Sequence, residues 1–154
     1  MNKLNIKVVL SVIALVFVMT SCFEDDNDEN KYDGPALVEF NSPTLTTGSY
    51  VRNVRVGVGL VTEQVNLISP HFSTDQTVMF TVDAANSTAV EGTHYSIDGT
   101  FTIAANSSVG DADIQILNGA IPAGESRTVV LVLQGNDLIG VSENYKSVRF
   151  VIRP

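Results

Sequence analysis

Apolar residues at every second position restrict this chain more than any other feature. Val78, Phe80 and Val82 alternate with Thr77, Met79, Thr81 and Asp83, and Phe101 and Ile103 alternate with Thr100 and Thr102. Ala112, Ile114 and Ile116 alternate with Asp111, Asp113 and Gln115, and Val148, Phe150 and Ile152 with Arg149 and Arg153. Side chains of a strand point alternately to its two faces, so a period of two means one buried face and one wet face. Ala36, Val38 and Phe40 continue the pattern, as does a run in which Val54, Val56, Val58 and Leu60 alternate with Asn53, Arg55, Gly57 and Gly59. From Val129 to Leu133 both phases are apolar, which predicts a central strand covered on both faces.

These runs predict seven strands. Turn formers (Gly92, Asp98-Gly99, Asn118-Gly119, Pro122 to Gly124, Asn136-Asp137) fall between them, and no later segment carries apolar residues at helical spacing over three turns. Short strands at this spacing must share their buried faces, so the expected fold is all-β, an immunoglobulin-like antiparallel β-sandwich. The pattern lapses between residues 61 and 75. Thr62-Glu63-Gln64 and Ser69-Pro70-His71 bracket Val65 to Ile68, which reads as a short edge strand inside a long loop. Loops of that length are uncommon in compact domains and often functional. The expected ligand-contact loop is therefore here, with Pro70, His71 and Phe72 exposed.

The N-terminus has a different character. Lys3 and Lys7 precede Val8 to Met19, a 12-residue stretch interrupted only by Ser11. That is too short to cross a bilayer, which takes roughly 20 residues, and is the usual length of a signal-peptide core. Val18-Met19-Thr20-Ser21-Cys22 resembles a lipobox, with Met19 where Leu is commoner and small residues before the cysteine. Cys22 is the only cysteine, whereas exported domains normally use cysteines in pairs. The resemblance implies removal of residues 1–21 and lipidation of Cys22, with acyl chains that each stabilise membrane binding by about 0.8 kcal/mol per buried methylene. Six of the 11 residues from Phe23 to Asp33 are acidic. Residues 22–34 are thus the lipidated cysteine and a self-repelling, solvated tether. The tether also resembles the acidic export signals that follow the lipidated cysteine in surface lipoproteins of some Gram-negative anaerobes. The expected location is the outer membrane, at the cell surface.

Residues 35–154 hold 11 acids and 6 bases. That balance argues against a nucleic-acid partner, which demands clustered Lys and Arg, and against electrostatic attachment to anionic lipid. The lipid on Cys22 is then the expected membrane contact.

One segment carries a family resemblance. Ala89-Val90-Glu91-Gly92-Thr93-His94-Tyr95-Ser96-Ile97, followed by Gly99 to Ser108, resembles the middle of Calx-beta domains, which have Gly-Thr-Asp-Tyr, a short turn, an apolar strand and a polar turn. The resemblance is concentrated in residues 78–117 and implies a sandwich like that of many bacterial surface lipoproteins. Gly92 is expected to make a tight turn, and Tyr95 to bury its ring while its hydroxyl finds a backbone partner. Calcium-binding members use clustered carboxylates at one end of the sandwich. Here His94 stands where the family's Asp would be, so the main expectation is no metal. The calcium alternative would use Glu91, Asp98, Asp111 and Asp113, although Asp111 and Asp113 share the wet face of one strand.

No sequence pattern supports catalysis. The two histidines, His71 and His94, form no His-Glu-x-x-His motif, and Gly124-Glu125-Ser126 lacks the rest of a nucleophile elbow. The chain is expected to be neither an enzyme nor a cofactor carrier. Two other readings remain. One is a surface binding module for an extracellular glycan or peptide, lacking tryptophan but with Tyr32, Tyr50, Phe72 and Tyr145 as stacking aromatics. The other is a structural, assembly or adhesion subunit that adds a strand to a protein partner.

Overall fold

Strand β8 (Arg127–Gly135) is sandwiched by protein on both faces, as its doubly apolar sequence predicts: Val129, Leu131 and Leu133 enter the core while Val130 is buried on the opposite side. The structure, a computed structural model, describes residues 32–47 and 49–154; the expected signal segment, Cys22 and most of the acidic tether lie outside the described residues. In chain order the other strands are β1 (Leu37–Phe40), β2 (Val51–Arg55), β3 (Gly59–Ile68), β4 (Gln76–Val82), β5 (Tyr95–Ser96), β6 (Thr100–Ile103), β7 (Val109–Ile116), β9 (Gly140–Val141) and β10 (Ser147–Arg153). A one-turn helix, α1 (Asn41–Thr44), follows β1, and a 3-10 turn spans Ala84–Asn86.

The strands form two five-stranded sheets, β5-β7-β3-β1-β9 and β2-β10-β8-β4-β6. Neighbours are antiparallel except β1 with β9 and β2 with β10, which run parallel. The expected β-sandwich is the observed fold. Val38, Phe40, Val61, Val65, Ile114 and Ile116 from the first sheet meet Val78, Phe80, Phe101, Leu131, Phe150 and Ile152 from the second. Each fully buried side chain of this kind contributes about 1.5–3 kcal/mol.

Two expectations are corrected. Residues 53–60 are not one strand. The chain turns between β2 and β3, where the Val58 N–H donates to the Arg55 carbonyl at 3.2 Å, and the two halves enter opposite sheets. Val58 and Leu60 are consequently 53% and 61% exposed. Residues 61–75 are not a long loop either. Their first half belongs to β3, a ten-residue strand paired on one side with β7 and on the other with β1. Val61, Glu63, Val65 and Leu67 all point inward on it. The buried acid at Glu63 interrupts the apolar phase, so the alternation does not register as a strand in the sequence.

Gly135 ends β8 where a side chain could not sit. Its φ is +73°, and a Cβ there would lie 2.1 Å from the Ile139 carbonyl oxygen. Glycine thus lets Asn136 to Ile139 fold back tightly, with the Asn136 side-chain oxygen accepting the Leu138 and Ile139 N–H groups.

Candidate functional site

The segment that carries the family resemblance is a structural corner. Gly92 has φ +73°, a conformation that costs other residues about 1–2 kcal/mol. The Gly92 N–H donates to the Tyr95 carbonyl at 2.8 Å and the His94 N–H to the Val90 carbonyl at 2.8 Å. His94 is buried, and its Nδ1 accepts the Val90 N–H at 3.0 Å, which leaves Nε2 as the ring's donor nitrogen. The histidine that replaces the family's Asp thus closes the turn by accepting a backbone proton, a task a carboxylate could also perform. The Tyr95 ring is 5% exposed, as expected. Its hydroxyl, however, makes no hydrogen bond among the described residues. Burial, and secondarily the negative charge of Glu91, push its pKa above the ordinary 10.0.

The four acids of the calcium alternative lie apart. Asp111 and Asp113 stand on the outer face of β7, and Asp113 accepts a hydrogen bond from the Thr62 hydroxyl on β3 at 2.6 Å. Glu91 sits beside Tyr95, which pairs with Ile116 at the other end of β7, roughly 17 Å along the strand from Asp111. Asp98 is exposed between β5 and β6. Among the described residues, no group of three or more His, Cys, Asp or Glu side chains is placed to hold a metal ion.

The loop expected to contact ligand is short and tied down. His71 Nε2 and the Ser108 hydroxyl are 2.6 Å apart, the Asn106 N–H donates to the Phe72 carbonyl at 2.8 Å, and the Ala105 N–H donates to Asp75 at 2.8 Å. Pro70 and His71 are exposed as expected; Phe72 instead packs partly buried against the core.

A different place gathers polar and aromatic groups. On the outer face of the second sheet, a cleft of about 380 Å³ is lined by Pro43, Ser49, Tyr50, Val130, Asn144, Tyr145, Ser147 and Arg149. Val130 and Arg149 are directly paired across β8 and β10 and form part of its sheet wall. The inward turn of Val148 and Phe150 leaves Arg149 on the outer phase between them. Tyr50 and Tyr145, both half-buried, come from the segment before β2 and the loop before β10. These are two of the four aromatics considered for stacking; Tyr32 and Phe72 do not line the cleft. The arrangement offers two phenol rings, an amide, two aliphatic hydroxyls and a guanidinium, and no carboxylate, imidazole or thiol. It can hold a polar ligand, but its lining contains no ordinary general base. Arg149, Asn144 and Ser147 were missed in the sequence. A usable signal was the outward apolar phase of β8, since Val130 must be covered by something.

No family model matches the sequence, and no curated protein matches it. Solved structures do. The chain is similar to the apo form of the Calx CBD1 domain, with a TM-score of 0.57 and 13% identity over 79% of this chain and 100% of that one. The fold is Calx-beta-like. The CBD12 structure of CALX1.2 also gives a TM-score of 0.57, at 14% identity over 75% of this chain. A third similar structure, of "a putative carbohydrate binding protein from Bacteroides ovatus", gives 0.52 at 12% identity over 75% of this chain. The chain spans 43% of the CALX1.2 structure and 36% of the Bacteroides ovatus one. At these identities the likeness concerns the sandwich, in agreement with the fold expected from residues 78–117.

Proposed function

We propose that this chain is a lipoprotein, anchored in the outer membrane by acyl chains on Cys22 and displayed at the cell surface on its acidic tether. Its Calx-beta-like domain is a non-catalytic binding module that captures a glycan or a peptide. The observation that carries the binding reading is the cleft at Tyr50, Tyr145 and Arg149, where amphipathic rings and hydrogen-bonding groups converge without a catalytic set. A structural neighbour named for carbohydrate binding supports the glycan side of the reading.

The edges of the first sheet weigh against the strand-adding alternative, whereas the second sheet ends in β2, five residues, and β6, four. The first sheet ends in β5 and β9, two residues each. Edges that short give an incoming strand few hydrogen bonds to extend. The experiment is a glycan and peptide array probed with the full chain in detergent micelles, alongside Tyr145→Ala. Capture that the variant loses supports the module; equal capture by both proteins sinks the assignment to this cleft.

A further inference from the structure

We infer that the cleft takes a saccharide bearing a carboxylate, which Arg149 grips while Tyr50 and Tyr145 hold the sugar ring. The inference rests on the reading of the cleft as the binding site and adds the chemical class of its ligand. It begins with charge. The domain carries 11 acids and 6 bases, and three of the bases are paired: Arg52 with Glu63, Arg127 with Glu125 and Lys146 with Glu143; Arg55 and Arg153 form no ion pair among the described residues but lie outside the cleft lining. Arg149 is exposed in the cleft and forms no ion pair among the described residues.

Asp83 is near enough for Arg149 to help lower its pKa, although its hydrogen bond from the Asn86 side chain does so most. Its carboxylate is already engaged. Oδ1 accepts the Ala85 and Asn86 N–H groups at 3.0 and 3.2 Å, and Oδ2 accepts the Asn86 amide at 2.7 Å. The Arg149 fork is therefore left for a ligand, and a guanidinium matches a carboxylate with two parallel hydrogen bonds. The single cation in the cleft lining suits one negative charge better than a phosphate monoester, which carries about −1.5 to −2.

The remaining lining selects a sugar over a peptide. An extended peptide gains affinity by joining a free sheet edge. At the cleft β10 is already paired on both sides, by β2 and β8. Asn144, Ser49 and Ser147 match hydroxyl groups, and the tyrosines supply apolar faces with polar rims for a pyranose.

The test is calorimetric titration of the full chain in micelles with trimers of galacturonic and glucuronic acid and with their neutral galactose and glucose counterparts. At least one acidic trimer should bind about 10- to 100-fold more tightly than its neutral counterpart, the range expected for a charged hydrogen-bond pair. Added salt should reduce the preference. Arg149→Gln should abolish it without changing the melting temperature. Arg153→Gln, which removes the same charge further along β10, should retain it, because about 13 Å of strand exceeds the screening length of about 8 Å. Equal binding of acidic and neutral trimers, lost in Tyr145→Ala, overturns the carboxylate inference and leaves the cleft as the binding site. Binding of carboxylate-terminated peptides at the cleft in place of either sugar also overturns it. Failure of every trimer to bind overturns it as well, and the cleft is then judged by the array above.

Discussion

Arg52 and Glu63 join the two sheets: from β2 at the edge of one sheet, the Arg52 guanidinium donates to Glu63 Oε1 on β3 of the other at 2.6 Å. Glu63 is 1% exposed and Arg52 37%. The second carboxylate oxygen accepts the Ser42 hydroxyl at 2.7 Å, and the same Arg52 nitrogen also donates to the Thr62 carbonyl at 2.8 Å. The buried acid is thus satisfied from α1 and from β2, which fixes how β2 returns beside β3.

Removing Arg52 strands a buried charge. Arg52→Ala should cost about 3 kcal/mol, the low end for buried pairs because the guanidinium keeps access to water. Arg52→Met combined with Glu63→Leu should cost less than Arg52→Ala alone, since no unpaired charge remains. Urea midpoints at constant slope measure both. A double variant weaker than the single would show that the pair stabilises more than the apolar contact replacing it.

The Tyr95 corner gives a second set. Tyr95→Ala should cost about 3–5 kcal/mol as a core truncation. Gly92→Ala should cost about 1–2 kcal/mol from backbone strain alone, because a Cβ there meets nothing within 4 Å. Glu91→Ala should change stability little. Thermal melting reads all three, and a Tyr95→Ala protein that melts like the parent would make Tyr95 a surface contact instead.

Tyr95 also predicts alkaline behaviour. Its folded pKa lies above the ordinary 10.0, so the unfolded chain releases the proton first. Its contribution to stability is fully present below pH 10 and is lost as pH climbs toward the raised value. In an ultraviolet titration of the four tyrosines, one should ionise late, and Glu91→Gln should bring that midpoint down. A single shared midpoint in parent and variant would contradict the assignment.

Hydrogen exchange should separate the two halves of residues 61–75. Amides of Val61, Glu63 and Val65, paired into β7, should exchange slowly, while those of residues 69–71 exchange fast. Uniformly fast exchange would restore the loop reading.

Cys22→Ala should release the protein from membranes with its melting temperature unchanged. Fractionation with lipid labelling tests it: a variant that stays attached with all label lost contradicts the lipobox reading, and a large fall in melting temperature would make the cysteine structural.

What could be read from the sequence depended on where chemistry interrupts periodicity. β7 and β10 were legible because Ala112, Ile114 and Ile116, and Val148, Phe150 and Ile152, keep their phase unbroken. Residues 53–60 misled because the alternation continues across a turn between sheets, with Gly57 and Gly59, both at positive φ, as its signs. β3 was hidden by one buried acid. The cleft was illegible because its walls come from residues 43, 49, 50, 130, 144, 145, 147 and 149, none of them marked as a motif; only Tyr50 and Tyr145 stood out, as aromatics with no stated meeting place.

The most direct test of the binding-module account is amide shift mapping of isotopically labelled full chain in micelles, titrated with the oligosaccharides and peptides that the arrays capture. The account predicts saturable shifts confined to Ser49, Tyr50, Asn144, Tyr145, Ser147, Arg149 and their immediate neighbours. Shifts centred on Pro70 to Phe72 or on Glu91 and Tyr95, with the cleft silent, would contradict it.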